Sequence, residues 1–302
     1  MTTALRYPVG MRVRRRRGTA QARFSSLPAA LPGIAVLLIF GAVPLAILSV
    51  TALGLGATGS GEQPGFTFGH LLQVFTEARL RRELINSIVV GIGSVLIMLI
   101  AGIPLTLAMS RHEQDRGPGI LGGSALVSVV FTLPIALPGI VVGFFTILML
   151  GRTGLFAQAI PAFGGMAYAI PGLFAAYVYF SFPRVIGPLR AVMSSFDHSL
   201  VDTARTLGSS RLRAFFTVSL PIVLPAVVEV LGTAAAVTIG GYGTIATLSQ
   251  GERLLALSVA DELSNRYQVA SASGLAVVLA MLAAGTLAVS RGLARILERS
   301  RA

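Results

Sequence analysis

The residues whose types and spacing best indicate a specific function lie in a polar loop at 190–220, between two long apolar segments. Asp197 or Ser199 can cap a short helix there. Three apolar residues then share one face of that helix: Leu200, Ala204 and Leu207. Gly208 is well placed to end it in the left-handed conformation. Such a helix has nowhere in its own chain to bury its apolar stripe, so the pattern predicts that it binds a protein partner or lies on lipid headgroups.

Glu229 is the one carboxylate well inside an apolar segment. It lies eight residues past Pro221, about 12 Å into a membrane at 1.5 Å per residue. An ionised group is costly at that depth, and a transporter driven by an ion gradient would use such a residue as its ion or proton site. The other interpretation is structural: Glu229 is protonated, faces a pathway, or pairs with Arg184 on a neighbouring segment.

Several kinds of chemistry are excluded by residue type. The chain has no cysteine, which excludes disulfides, thiolate metal sites and cysteine nucleophiles. All 24 basic residues are arginine, and a phosphate-binding P-loop requires lysine. If ATP drives this protein, another polypeptide binds it. We expect no metal site and no catalytic centre, because the spans lack paired carboxylates and the histidines lack ligand spacing: His70, His112 and His198.

The composition is that of a membrane protein. Of 302 residues, 54% are hydrophobic and only 12% are charged, against about 25% charged in a soluble domain. Six segments are long enough to cross a bilayer, which requires about 20 apolar residues. They lie near 31–53, 84–108, 124–150, 169–189, 221–247 and 268–290.

The arginines between these segments predict the topology. One side holds the N-terminal cluster and most others: Arg6, Arg12, Arg14 to Arg17, Arg23, Arg111, Arg116, Arg190, Arg205, Arg211, Arg213, Arg291, Arg295, Arg299 and Arg301. The opposite side holds six: Arg79, Arg81, Arg82, Arg152, Arg253 and Arg266. The positive-inside rule therefore predicts that both termini and the loop at 190–220 are cytoplasmic.

Residues 1–30 are rich in arginine, and we expect them to form a cytoplasmic N-terminal tail. The following apolar run, 31–53, is longer than the 7–15 residues of a signal-peptide core, so we expect it to remain as the first span. The arginine cluster favours contact with anionic lipid over binding of nucleic acid, because a span follows it directly.

Two prolines interrupt the predicted third span. Pro134 and Pro138 each remove a helical hydrogen bond, so we expect a kink or a break. Gly139 and Gly143 follow as a pair of small residues that permits close helix approach.

The loop spacing resembles the cytoplasmic "EAA" loop of ABC importer permeases, which reads Glu-Ala-Ala, three residues, Gly, nine residues, Ile, one residue, Leu-Pro. Asp202 takes the place of the Glu, Thr203 and Ala204 of the alanines, and Val218 of the Ile; the remaining matches are Gly208, Leu220 and Pro221. Three further stretches are similar to the same family: Asn86-Ser87, Leu133-Pro134 through Leu137-Pro138-Gly139, and Gly240 to Thr244.

This resemblance implies an all-α, polytopic fold of six transmembrane helices, that of a type I ABC importer subunit. A permease domain would span 31–291 and a cytoplasmic tail 292–302. The implied partners are ATP-binding subunits, a second permease subunit and an extracytoplasmic solute-binding protein in a cell inner membrane. Two sets of site residues follow: for coupling to the ATPase, Asp202, Thr203, Ala204, Gly208, Leu220 and Pro221; for the pathway or its kinks, Pro134, Pro138, Gly139, Gly241, Tyr242, Gly243 and Glu229.

The resemblance narrows the solute only to a small ionic class. Its motifs are most similar to permeases for sulfate, molybdate, phosphonate, iron, thiamine or polyamines. Several of those carry Gly-Glu-Phe-Gly where this chain has Gly241-Tyr242-Gly243, so the motifs do not distinguish among these solutes. A secondary transporter driven by an ion gradient is the alternative.

Overall fold

The computed structural model describes residues 27–56, 59, 61–62, 64–116, 133–134, 136–248 and 250–300, and the regular structure of these residues is helical. The α-helices, in chain order, are α1 (Leu27–Leu37), α2 (Val43–Ala52), α3 (Gly69–Thr76), α4 (Ala78–Arg116), α5 (Gly139–Leu150), α6 (Leu155–Ala159), α7 (Ile170–Ser194), α8 (Ser199–Thr206), α9 (Arg211–Ala214), α10 (Leu220–Ile239), α11 (Tyr242–Leu248), α12 (Leu255–Ser264) and α13 (Val269–Arg299).

Within the described ranges, five helical segments are long and apolar enough to cross a membrane: Leu31–Ala52, Ala78–Leu107, Gly139–Ala159, Arg211–Ile239 and Val269–Arg299. A sixth candidate joins Pro161–Tyr168 to Ile170–Ser194 through a bend of 69°. The predicted all-helical, polytopic architecture is confirmed. The predicted fourth span, 169–189, corresponds to the bent segment.

The chain divides into two compact units, residues 1–47 and 48–302. In the first unit, α1 continues through a π-helical turn at Leu38–Ala42 into α2, so the first predicted span is helical. The predicted cytoplasmic tail at 1–30 lies almost wholly outside the described residues. At the other end, α13 continues to Arg299, so most of the predicted C-terminal tail at 292–302 is helical.

Three clusters of buried side chains hold the second unit together. The largest joins α4, α7, α8 and α10, and includes Val95, Leu189 and Val227. The second joins α4, α5, α7 and α11 around Tyr177, whose side chain is fully buried. The third joins α3, α4, α12 and α13. The helices therefore pack on one another through only part of their apolar surface, and the remaining apolar side chains are available to lipid or to partner subunits.

The predicted third span, 124–150, contains the predicted break and its helix ends at Leu150, whereas the bounds of the fifth span differ from the prediction of 221–247. In the third span, Leu133, Pro134 and Ala136 are helical, and a new helix, α5, begins at Gly139 with Pro138 as its N-cap, because a proline is well tolerated at a helix start but not in its interior. Residues 124–132 lie outside the described ranges. The fifth span is helical from Arg211 to Ile239. It therefore begins ten residues before the predicted start and ends eight residues before the predicted end.

A π-helical turn at Phe215–Ser219 explains how the fifth span includes Pro221. Pro221 has no N–H to donate to the carbonyl of Thr217, and a wider turn directly before it accommodates that missing hydrogen bond. At the far end, Gly240 and Gly241 separate α10 from α11, because residues without a side chain are poor helix formers.

Glu62 holds the loop after the first span against the start of α13. Its carboxylate accepts hydrogen bonds from the backbone N–H groups of Ala270 at 3.0 Å and Ser271 at 2.8 Å, and also from Gly59. These N–H groups have no partner within α13 because they lie in its first turn. Burial alone would raise the pKa of Glu62, but the hydrogen bonds outweigh it and hold the pKa below its usual value.

We expect Glu62 to make the stability of this junction depend on pH. A carboxyl whose pKa is lowered by folding stabilises the fold fully above its unfolded pKa, about 4.3 for glutamate, and loses that contribution as the pH falls through the folded pKa. The difference in Tm between the detergent-purified protein and its Glu62→Gln variant should therefore be largest at neutral pH and shrink below about pH 4. A difference that stays constant across this range would contradict the prediction.

Candidate functional site

The short helix α8 and the turn that ends it form the centre of the loop at 190–220. The Asp197 carboxylate accepts a hydrogen bond from the Ser199 N–H at 2.9 Å, which satisfies the N–H of the first helical residue, although the N-cap position itself is His198. Hydrogen bonds from the Ser199 side chain and N–H lower the pKa of Asp197. At the other end Gly208 has φ +89°, and its N–H donates to the Arg205 carbonyl at 3.0 Å. The predicted left-handed stop at Gly208 is therefore present.

The burial of this helix corrects one prediction. Its own chain does bury part of the apolar stripe: Val201 is 2% exposed, and Ala204 packs beside it against the α4–α7–α10 cluster. The sequence reasoning missed Val201 because it followed a different helical face. Four apolar side chains of the loop and the following turn remain exposed, by 45 to 82%, and we call them the coupling surface: Leu200, Leu207, Leu212 and Phe216.

The other loop residues of the family pattern lie on α8 and at the start of α10. Asp202 and Thr203 are exposed on α8, and the Thr203 hydroxyl donates to the Ser199 carbonyl at 2.8 Å. Leu220 and Pro221 are half-buried at the start of α10. Arg211 to Ile239 is one helical segment, so the loop continues directly into α10.

The structure brings the predicted break at Pro138 together with the break at Gly240–Gly241. A Cβ added at Gly139 would lie 3.0 Å from the Thr244 nitrogen, and one added at Gly243 would lie 3.3 Å from the Ile140 nitrogen. The start of α5 and the start of α11 therefore touch through backbone. Tyr242 is exposed beside this contact, and Pro134 is buried. Six of the seven predicted pathway or kink residues lie in or directly before these breaks; Glu229 does not.

A buried tyrosine that the sequence reasoning missed fixes the Gly240–Gly241 break. The Tyr177 hydroxyl donates to the Gly241 carbonyl at 2.5 Å, which anchors the residue directly before α11. One turn away, the hydroxyl oxygens of Ser181 and Thr238 lie 3.2 Å apart. These two contacts join α7 to the end of α10. The sequence does contain a sign of these contacts, because the polar residues Tyr177 and Ser181 are four positions apart and therefore share one face of an otherwise apolar helix.

The suggested pairing of Glu229 with Arg184 is wrong. Glu229 lies nine residues before Thr238, which is two and a half helical turns, so it projects from the side of α10 opposite to α7. Its carboxylate instead lies 3.9 Å from the Arg291 guanidinium on α13, with both side chains more than half exposed. Arg291 is the first charged residue after the long uncharged run of α13. Glu229 is therefore level with the C-terminal end of that run rather than deep in a span, which removes most of the cost of its charge.

A second polar cluster, which the sequence reasoning also missed, lies at the extracytoplasmic end predicted for α4. The Glu83 side chain is 3% exposed, and it accepts hydrogen bonds from Arg79 at 3.1 Å and Arg253 at 3.2 Å. The Ser258 hydroxyl also donates to it. Arg79 and Arg253 reach further carboxylates, those of Glu77, Glu262 and Asp261. This cluster ties α4 to α12.

The Asn86-Ser87 pair extends that junction. The Asn86 amide donates to the Glu252 carboxylate at 3.0 Å and to the Arg253 carbonyl at 3.2 Å. The Ser87 hydroxyl accepts from the Leu255 N–H at 2.9 Å. The pair therefore satisfies the irregular backbone that follows α11, which is a structural role within this chain.

Comparison with known proteins identifies the family. Residues 123–302 match the model of the binding-protein-dependent transport system inner membrane component. The molybdenum transport system permease protein ModB of Escherichia coli K12 is 33% identical over 186 residues, covering 60% of this chain and 81% of ModB. The molybdate/tungstate permease WtpB of Pyrococcus abyssi is 30% identical over 226 residues, covering 75% of this chain and 83% of WtpB.

Solved structures agree on the fold. A bacterial ABC transporter involved in the import of alginate superposes with a TM-score of 0.67 at 16% identity, covering 91% of this chain and 96% of the other. A chain of the inward-facing MetNI methionine ABC transporter gives 0.52 at 14% identity, covering 73% and 99%. The fold is that of an ABC importer transmembrane subunit, and the chain belongs to the family of binding-protein-dependent transport system inner membrane components, as a multi-pass permease subunit.

Proposed function

We propose that this permease imports a tetrahedral oxyanion of the molybdate, tungstate or sulfate class. The support is the set of relatives. ModB carries molybdenum in its name and WtpB carries molybdate and tungstate, and a further relative, 25% identical over 221 residues, is a sulfate transport permease of Synechocystis. These names fall within the small ionic class that the sequence motifs predict.

The proposal assigns ATP binding and hydrolysis to a separate subunit that docks on the coupling surface. The observation that carries this assignment is the exposure of Leu207 and Leu212, 82% and 72%, on a loop that also bears Asp202 and four arginines. Exposed apolar side chains beside charged ones are typical of a protein–protein interface. Headgroups of lipid would equally accept the arginines, but the family membership of the chain favours the protein partner.

Coupling then follows from the chain connectivity. Closure of two ATP-binding subunits displaces α8 and the turn at Gly208, and the helical segment beginning at Arg211 carries that displacement to the break at Gly240. The adjoining starts of α5 and α11 would open or close the pathway at this break. This is a two-state element whose equilibrium nucleotide biases. Asp202, Thr203 and Ala204 act at the docking end, and Leu220 and Pro221 at the start of the transmitting helix.

The same proposal sets the partners and the topology. Both termini lie in the cytoplasm, a second permease subunit completes the pathway, and an extracytoplasmic binding protein delivers the solute. A periplasmic protein is bound in one of the structural relatives, the alginate transporter. The arginine distribution supports the orientation.

Replacement of Leu207 by aspartate is the direct test of the coupling surface. When the chain is co-expressed with the ATP-binding subunit of its own transport system, we expect Leu207→Asp to reduce co-purification of that subunit about tenfold or more, the effect of losing one central apolar contact. Uptake driven by ATP should fall in parallel. The yield of the permease should not change, because the side chain is exposed.

Leu263→Asp is the matched control. Leu263 is 49% exposed on α12, toward the opposite end of the protein, and this variant should retain the ATP-binding subunit. Normal assembly and uptake by Leu207→Asp would refute the assigned docking site. ATP hydrolysis by the permease alone would refute the division of labour.

A further inference from the structure

Arg184 lies within the membrane-spanning part of α7. Its depth follows from its neighbours, because Glu229 on α10 is level with Arg291 at the end of the uncharged run of α13. Thr238 is nine residues, about 14 Å, further into the membrane, and it contacts Ser181 of α7. Arg184 is one turn, about 5 Å, from Ser181 toward the cytoplasm. Its backbone is therefore about 9 Å inside the level of Arg291.

The charge of Arg184 is not neutralised by any residue that the structure describes. Its guanidinium donates from Nη1 to the Phe180 carbonyl at 2.6 Å and lies 3.9 Å from the centroid of the Phe180 ring. These contacts hold the side chain along its own helix. The Nε and Nη2 atoms make no hydrogen bond to the described part of the chain. They form the edge of the guanidinium that grips an oxyanion through two parallel hydrogen bonds.

The helix surface around Arg184 is unsuited to lipid. Gly187 and Pro188 are exposed one turn further along, and a Cβ added at Gly187 would meet no atom within 4 Å. Pro188 has no N–H to donate to the carbonyl of Arg184. This stripe of α7 therefore combines a charged side chain, a carbonyl without its helical donor, and open space. Such a combination is tolerated at membrane depth where the helix surface borders water.

We propose that Arg184 is an oxyanion-binding residue of the translocation pathway, a proposal that rests on the proposed import of a tetrahedral oxyanion. The free Nε–Nη2 edge contacts two oxygens of the passing anion. The binding is transient, because conduction requires a site that releases its ion as readily as it accepts it. Phe180 acts as a positioning residue that keeps this edge turned away from the helix.

A single introduced thiol can test whether the stripe borders water, since the chain contains no cysteine. In the complete transporter in vesicles, we expect Gly187→Cys to react with a charged, water-soluble thiol reagent about tenfold faster than Met281→Cys, because a thiol in hydrocarbon is shielded from such reagents. Met281 is 56% exposed midway along α13. Molybdate supplied by the binding protein during ATP turnover should slow the reaction of Gly187→Cys. Equal, slow labelling of both variants would overturn the proposal.

Substitution of Arg184 completes the test. In the same vesicles Arg184→Met should lower molybdate uptake about tenfold or more, equivalent to one lost charge-assisted contact. It should also abolish the molybdate protection of the introduced thiol. Arg184→Lys keeps the charge without the bidentate edge and should transport at an intermediate rate. ATPase activity without solute should change less than about twofold in both variants if Arg184 acts only on the anion.

The outcomes separate the two proposals. Unchanged uptake and unchanged protection in Arg184→Met, with active wild-type protein, overturn the role of Arg184 alone. A wild-type transporter that takes up none of molybdate, tungstate and sulfate with ATP overturns the proposed substrate class, and the anion contact with it.

Discussion

Gly143→Val is expected to abolish uptake and to destabilise the permease. A Cβ at this position would lie 1.6 Å from the Thr247 hydroxyl oxygen and 3.0 Å from the Thr244 carbonyl oxygen, so α5 must move away from α11. Overpacking of this kind costs about 1–3 kcal/mol for a small addition, and valine adds more than one methyl group. Because the two pathway breaks touch one turn away, their separation should lower ATP-driven uptake about tenfold or more.

The matched control is Gly285→Ala in α13, where an added Cβ meets no atom within 4 Å; it should be neutral or slightly stabilising. A second variant tests the mechanism. The smaller substitution Gly143→Ala adds only the Cβ and should also lower the Tm. Combining it with Thr247→Ala, which removes the hydroxyl that this Cβ would strike, should restore part of the lost Tm. A Gly143→Val protein with wild-type Tm and uptake would show that α5 and α11 are not packed as the structure has them.

The features that the sequence predicted correctly are those that depend on neighbours in the chain. The end of α8 at Gly208 follows from one residue's freedom to adopt positive φ, and the break at Pro138 follows from one missing N–H. The helical type of the spans and their lengths follow from the bilayer thickness, which any spanning helix must match. None of these predictions requires knowledge of how the helices are rotated.

The features that the sequence did not predict depend on helix rotation and on contacts between distant residues. Glu229 and Arg184 are close in predicted depth, but Glu229 projects from the side of α10 opposite to α7. Val201 was missed because only the packed structure shows which face of α8 meets the core. Glu83 has Arg79 four residues before it, a visible pair, yet its partners Arg253 and Ser258 are more than 160 residues away in the chain.

Glu83→Ala is expected to be the most destabilising single change at the junction of α4 and α12. The carboxylate is almost fully buried and holds two guanidinium groups and one hydroxyl, so its removal leaves both arginines with only their weaker contacts. Breaking a buried ion pair costs about 3–5 kcal/mol. Because Arg79 and Arg253 are about one-third exposed, water screens part of this loss, and we expect about 2 kcal/mol.

Glu77 provides the matched control, because its carboxylate also lies near Arg79, at 3.9 Å, but is 53% exposed. Thermal unfolding in detergent should show a Tm about 5 °C lower for Glu83→Ala, the shift expected from about 2 kcal/mol in a chain of this size. Glu77→Ala should stay within about 1 °C, since an exposed pair contributes little. Equal effects of the two substitutions would mean that α4 and α12 are held together by apolar contacts alone, and that the Glu83 cluster is only a satisfied polar group.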